Sequence, residues 1–346
     1  MRDGDQPRQV VLLNDTSLHN HHGCRHVVAT IRRCLAQRGL QVIDSAPAGS
    51  LWSANNRFLS SMRAAGLILI NGEGTLHHGA ELAARLLSVV DHPARVGKPV
   101  ALINTIYQEN PPDWVRWLGK MDLIATRDRT SQAEIASLGL GVEYAPDLSL
   151  YAGRNEPAAN RGGDHVGYGD SVFPEVKRAL RRAYQREQRP RLYLPIHTGI
   201  RHPGPPSELR LGRRWHNIRF KLRARIRNLR DRGQRLSDDV DGFVADLRRT
   251  SIYLTGRYHG ICLAISAGVP FRAVTSNSHK IEALLKEAGL NPDRLVRDVS
   301  DIAVTSPEDW QFSAGETERL SVFLRDGRSR TDVVFDRLAD LARKQA

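Results

Sequence analysis

The chain has 346 residues, 40% hydrophobic and 26% charged, which is enough to bury two cores and excludes a wholly disordered polymer. Its formal charge of +13 is concentrated: residues 201–235 carry eleven Arg and one Lys against Glu208 and Asp231, and the remainder is close to neutral. Cys24, Cys34 and Cys262 are too few and too scattered for a disulfide framework or a zinc motif, which suits a reducing compartment.

From the start, Met1 to Pro7 is polar and lacks the apolar stretch of a signal peptide, and no run of about 18 apolar residues occurs anywhere. A cytoplasmic protein is therefore expected. Gln9–Leu13 predicts a first strand ending at Asn14-Asp15-Thr16, followed by a His-rich polar loop to Gly23. Val27, Val28, Ile31 and Leu35 fall at helical spacing, with Gly39 as the stop. Strands follow at Gln41–Ile43, Leu67–Ile70, Pro99–Ile103 and Leu123–Ala125; the continuous apolar run Leu67–Ile70 suits a parallel strand buried on both faces. Pro146 to Gly163, rich in Pro and Gly, predicts a linker. The alternation restarts with strands at His165–Tyr168, Arg191–Ile196, Ser251–Leu254 and Phe271–Val274, and helices at Val240–Arg249 and Gly260–Ala267. An α/β fold of two Rossmann-like domains follows, divided near residue 150 into 1–150 and 151–346, with ligands at the carboxyl ends of the strands.

The most informative stretch is Ser251 to Phe271. A strand reaches Thr255-Gly256, a turn presents Arg257, Tyr258 and His259, and a helix opens at Gly260 and stops at Gly268-Val269-Pro270. Helix starts offer unpaired N–H groups and partial positive charge. An Arg and a His at that mouth add a forked donor and a residue type that titrates near neutrality, which points to anion binding or acid catalysis. The plainer reading is a buried strand-to-helix turn whose His satisfies backbone groups.

Gly256-Arg257-Tyr258-His259-Gly260, with Ala264, Gly268 and Pro270, resembles the C-terminal motif of polysaccharide pyruvyl transferases. Asn71-Gly72-Glu73-Gly74, Thr126 to Ser131, Ala145-Pro146-Asp147 and Ser276 to Lys280 stand in the order of that family. Two departures are visible: the first loop, Asn14 to Cys24, is longer than the family's short Asn-x-Gly-Asp turn, and Glu73 replaces the middle glycine of a Gly-Gly-Gly-like turn. The resemblance implies a GT-B-like pair of domains facing a cleft, phosphoenolpyruvate as donor, and a sugar of a cell-surface glycan or its lipid-linked precursor as acceptor.

Ketal formation needs a proton at the donor methylene and a site that holds carboxylate and phosphate together. His259 is the candidate acid and Arg257 the clamp. Arg127 is the candidate for the remaining anionic group, against a buried ion pair at a strand end. Lys280 adds positive charge or is a solvated helix residue. Gly72, Glu73, Gly74 and Asp15 are candidates on the acceptor side, with Glu73 as a base; the alternatives are a tight turn for the glycines and a cap for Asp15. Gly260 opens the donor helix. No cofactor or metal is expected: His19, His21, His22, Cys24 and His26 cluster in sequence, but their spacing matches no tetrahedral motif, and they are read as pocket-lining or exposed loop residues.

Trp215, Ile218, Leu222, Ile226 and Leu229 recur every three or four residues among Arg213, Arg214, Arg219, Arg223, Arg225, Arg227 and Arg230. This predicts a cationic amphipathic helix over about 210–235, suited to an anionic membrane surface or packed on its domain; nucleic acid is not expected. Two other functions remain open: a glycosyltransferase using a nucleotide-activated sugar, such as a CMP-linked acidic one, and a non-catalytic glycan- or lipid-binding module.

Overall fold

The computed structural model describes residues 7–151, 163–197, 233–274, 279–298 and 306–344, and individual positions 215, 217–220, 222, 223, 226, 231 and 302. Two compact units emerge: unit 1 draws on the chain up to Ser17, Val27–Leu148 and the chain from Asp326, whereas unit 2 draws on Leu18–His26 and Ser149–Arg325. Compared with one cut near residue 150, two segments change sides. The His-rich loop joins the later unit and the C-terminal stretch joins the earlier one.

Unit 1 carries a six-stranded sheet: β1 (Arg8–Asp15), β2 (Leu40–Pro47), β3 (Leu67–Glu73), β4 (Val100–Thr105), β5 (Leu123–Thr126) and β6 (Glu143–Tyr144). Its strands run parallel in the order β2-β1-β3-β4-β5-β6. Every residue of β3 and β4 is buried, which explains their unbroken apolar runs. Helices α1 (His22–Ala36, whose first turn up to His26 belongs to unit 2), α2 (Asn56–Ala64), α3 (Glu81–Leu87), α4 (Val115–Leu118) and α5 (Arg129–Ser137) follow the strands. On α1 the periodic Val27, Val28, Ile31 and Leu35 are at most 1% exposed, so the helical spacing marks a core face.

Unit 2 repeats the plan with five parallel strands: β7 (His165–Ser171), β8 (Arg191–Tyr193), β9 (Thr250–Gly256), β10 (Phe271–Val274) and β11 (Leu295–Val296), in the order β11-β10-β9-β7-β8. Its helices are α6 (Pro174–Arg186), α7 (Val240–Leu247), α8 (Tyr258–Ala267), α9 (Lys280–Glu287) and α10 (Ala314–Arg343), the last running past the division into unit 1. Buried Arg294 bonds Glu316 through Nε and a terminal nitrogen (2.9 and 2.8 Å) and packs over Phe312, fastening the start of α10 to the rest of unit 2. Burial alone would push the Glu316 carboxyl up; hydrogen bonds from Arg294 and from the Asn291 and Ser313 amides outweigh it and hold the pKa at about 2.

In each sheet the first strand lies between the second and the third, so connections leave in opposite directions on either side of one gap. Those gaps, β1/β3 and β7/β9, are the topological switch points where such sheets bind ligands. Among the described residues, no helix is long and apolar enough to cross a membrane.

Candidate functional site

The switch point of unit 2 is cationic and aromatic. Strand β7 ends at Asp170-Ser171, and β9 delivers Thr255-Gly256 and then Arg257, which stands just before α8. Arg257 reaches Asp170 Oδ2 through Nε and a terminal nitrogen, each 3.2 Å away. The other oxygen, Oδ1, accepts the Ile196 amide at 3.0 Å, so a buried aspartate orients the guanidinium while 19% of the arginine side chain stays exposed. Thr255 Oγ1 accepts the Arg257 amide and donates to the Asp170 carbonyl, both at 3.2 Å, locking the turn. His259 lies in the first turn of α8 and is 8% exposed. The helix begins at Tyr258, two residues before the expected Gly260, because Arg257 already stands in the cap position. Gly260 has a packing reason: a Cβ there would meet Thr255 Oγ1 at 3.1 Å and Tyr253 at 3.3 Å. Lys280 is the first residue of α9 and half-buried; Ser276, Asn277 and Ser278 lie outside the described residues.

The His-rich loop packs against this turn, within the same unit. The His22 amide donates to the Ile196 carbonyl at 3.1 Å, His21 forms an antiparallel bridge with His197, and the His22 ring lies 5.0 Å from that of Phe243. Arg25 donates to the Asp238 carbonyl at 3.0 Å. Gly23 is required by proximity: a Cβ on it would lie 2.2 Å from His259 Cβ and 2.4 Å from Cγ. The His21 and His259 rings meet edge to face at 5.3 Å, and the Cys24 amide donates to His21 Nδ1 at 3.3 Å. Burial holds His21 well below the usual histidine range, and the neighbouring His259 and Arg257 reinforce it, so this ring is neutral at pH 7. The sequence spacing matches no metal motif, yet in the fold the donor atoms of His21, of Cys24 in the first turn of α1 and of His259 lie within 4.8 Å of one another.

The switch point of unit 1 is built from buried amides and carboxylates. Asn14 Nδ2 donates to the Asn71 carbonyl (2.7 Å) and to Thr75 Oγ1 (3.1 Å). Asn104 Nδ2 donates to Asn71 Oδ1 at 3.3 Å and its own Oδ1 accepts the Leu148 amide at 3.1 Å. Asn14, Glu73 and Asn104, at or near the ends of β1, β3 and β4, all have positive φ (60°, 46° and 54°). Asparagine tolerates that region; glutamate is held there at a cost of order 1 kcal/mol or more. Glu73 thus occupies a backbone conformation suited to glycine, and the residue is 5% exposed. Gly72 is fixed by close packing, since a Cβ would lie 2.3 Å from Thr105 Cβ. A Cβ on Gly74 would stand 3.7 Å from an Arg127 terminal nitrogen, an ordinary contact.

Two candidates are engaged within the fold. Arg127, 3% exposed, pairs with Asp147 at 2.9 Å, and neighbouring Asp128 caps α5 by accepting the Ser131 amide at 2.7 Å. Asp15 accepts the Ser17 amide at 2.9 Å, Ser45 Oγ at 2.7 Å and Arg32 at 3.1 Å. Burial raises its pKa, but these partners outweigh burial and leave it below the usual value. Their geometry matches the structural alternatives, an ion pair at a strand end and a turn cap, and gives a ligand role no direct support.

Arg257, His259 and Gly260 are thus gathered in unit 2, and Asp15, Gly72, Glu73, Gly74 and Arg127 belong to unit 1. Asp170, His21, Asn14 and Asn104 escaped the sequence reading as partners of these residues. The one usable signal was position, since Asp170 and Asn104 follow apolar strand runs as Asp15 and Asn71 do. Most of the basic segment lies outside the described residues; within it positions 215, 217–220, 222, 223 and 226 are helical.

Over 97% of this chain and 99% of the other, the fold is similar to Arabidopsis thaliana UGT89C1 complexed with UDP-L-rhamnose, at 11% identity and a TM-score of 0.54. Methanocaldococcus jannaschii UDP-GlcNAc 2-epimerase, in complex with UDP-GlcNAc and UDP, is similar over 94% of this chain and 99% of that one, at 10% identity and a TM-score of 0.51. These likenesses establish the two-domain Rossmann-like α/β fold. A search of curated proteins returned no match. The family model for polysaccharide pyruvyl transferase matches residues 48–278, two thirds of the chain and both switch points' third strands, β3 and β9. By that match the chain belongs to the polysaccharide pyruvyl transferase family.

Proposed function

We propose that this protein transfers the pyruvyl group of phosphoenolpyruvate as a ketal to two hydroxyls of a sugar, in a cell-surface glycan or its lipid-linked precursor. The observation that carries the reading is Arg257 and His259 standing together at the β7/β9 switch point within the matched family region. Arg257, oriented by Asp170, holds the donor phosphate or carboxylate, and the amides opening α8 extend the anion site. His259 delivers a proton to the donor methylene, leaving an oxocarbenium-like centre at C2. One sugar hydroxyl attacks C2. The second then displaces phosphate as the C2–O bond to phosphorus breaks. Of the two hydroxyl protons released, one balances the proton spent on the methylene and one leaves on phosphate. Glu73 receives a hydroxyl proton on the acceptor side, while Asp15 and Arg127 order the strand ends around it. Lys280 adds positive charge toward the donor.

The partner surface in this reading is an anionic membrane carrying the acceptor. Trp215, Ile218, Leu222 and Ile226 are 62%, 56%, 57% and 43% exposed, and Arg219 and Arg223 are exposed among them. An apolar stripe left open beside arginines favours a lipid surface over packing on the domain. Co-sedimentation with anionic but not neutral vesicles is expected; equal recovery with both would remove the membrane from the account.

Phosphate release from phosphoenolpyruvate, measured with a panel of glycan acceptors on wild type and His259→Ala, tests the reaction. Acceptor-dependent release that falls by about 10²–10⁴ in the variant is expected. Release unchanged by the substitution removes His259 as the acid. Calorimetric binding of a CMP-sugar without binding of phosphoenolpyruvate would replace pyruvyl transfer by glycosyl transfer.

A further inference from the structure

From the stretch Leu18–His26, which belongs to unit 2, we infer that His21, Cys24 and His259 form a binding site for a thiophilic dication of the zinc class, and that metal there switches the enzyme off. The three donor atoms lie within 4.8 Å of one another. Tetrahedral zinc with bonds of about 2.0–2.1 Å to nitrogen and 2.3 Å to sulfur needs donors about 3.3–3.7 Å apart, so the site closes by roughly 1 Å through side-chain rotation. Two imidazoles and a thiol are a nitrogen–sulfur set that selects zinc over the oxygen-seeking magnesium and calcium.

Chance proximity of mobile side chains is a poor description of this cluster. His21 and Cys24 flank Gly23, whose missing Cβ is what admits His259. His21 and the first turn of α1 are pinned by the His22 amide on Ile196, the His21–His197 bridge, His22 against Phe243, and Arg25 on Asp238. Cys34 and Cys262 are 0% exposed, whereas Cys24 is only partly buried and open to an arriving ion. The nearby positive charge of Arg257 is matched by Asp170, which lowers the cost of a dication beside it.

On binding, the Cys24 thiol loses its proton to solvent and the sulfur binds as thiolate. His21 gives up its 3.3 Å contact with the Cys24 amide and turns a ring nitrogen to the metal. His259 contributes its lone pair, and a water completes the tetrahedron. A ligated imidazole cannot become the imidazolium that protonates the donor methylene, so occupancy and catalysis exclude one another. Binding rests on these residues alone; the inhibitory effect also rests on the acid role proposed above for His259.

The test is a titration of the purified full-length protein with cobalt(II) followed by absorption, and with zinc(II) by equilibrium dialysis. One equivalent of each is expected, cobalt giving a thiolate charge-transfer band. Cys24→Ser abolishes the band and weakens zinc by more than about 100-fold, beyond the 10–100-fold typical of losing an outer partner. Should that variant melt early, His21→Gln reads the same loss. Cobalt bound without a thiolate band, a band that survives Cys24→Ser, or no stoichiometric binding overturns the site. Zinc inhibition is then compared with each protein's own metal-free rate: wild type is inhibited at stoichiometric zinc and Cys24→Ser needs about 100-fold more. Binding without inhibition overturns the switch and with it the acid role of His259, while the site stands.

Discussion

Two sheets of one topology carry opposite chemistry at the same place. In unit 2 the β7/β9 gap presents Arg257, oriented by the buried Asp170, and His259, whose ring packs edge to face against His21. In unit 1 the β1/β3 gap presents Asn14 and Asn71, joined by buried amide hydrogen bonds, and Glu73, held at a positive φ that costs energy. Topology supplies the location twice. Residue choice makes one gap cationic and the other rich in amides, and the proposed reaction would use the first for its anionic donor.

The sharpest way to break the contrast is Arg257→Lys. Lysine keeps the charge but not the fork toward Asp170 and an anion, so acceptor-dependent phosphate release is expected to fall by about 10²-fold or more. A rate within a factor of two of wild type would mean that position 257 only stabilises the turn.

Acid tests unit 2 next. Its Glu187 and Glu316 carboxyls are both drawn down to about 2. For Glu316 the folded pKa lies below the unfolded one, so its contribution is complete above the ordinary value near 4.5 and is lost as pH falls toward 2. For this nearly buried pair the loss is about 3 kcal/mol. Melting from pH 6 to 2 should show a slope that Glu316→Gln reduces; an unchanged slope would place the acid sensitivity elsewhere.

Gly23→Ala attacks the support of His259 rather than the residue itself. A methyl 2.2 Å from His259 Cβ must displace it, at about 1–3 kcal/mol, and activity should drop although no reacting group is altered. Full activity would show that the loop does not hold the imidazole.

On the unit 1 side, Glu73→Gly relieves a positive φ while removing the carboxylate. Acceptor-dependent release should fall at least about tenfold with no loss in melting temperature, the pattern of a residue strained for function. A stability loss with unchanged rate would make Glu73 a structural element.

Much of this was legible in the sequence. Leu67–Ile70 and Phe271–Val274 read as strands because both sheet faces are covered, and Phe271–Val274 matches β10 end to end. β6 and β11, two residues each, are too short for any periodicity to announce. The turn at Arg257–His259 was legible because its chemistry is contiguous. Asp170 and His21 were not, because their partnership with that turn exists only after β7 pairs with β9 and the loop after β1 lies down on Ile196. For Arg127 the sequence left an available cation and a buried ion pair side by side, because its partner Asp147 is distant in sequence. A 30-residue helix, α10, went unread, its apolar positions diluted among charged ones.

The most direct test is calorimetric titration of phosphoenolpyruvate into wild type, Arg257→Ala and Glu73→Gln. Wild type and Glu73→Gln are expected to bind alike and Arg257→Ala at least about tenfold more weakly, the loss of one charge-assisted pair. Binding retained by Arg257→Ala and lost in Glu73→Gln would contradict it, and would move the donor to unit 1.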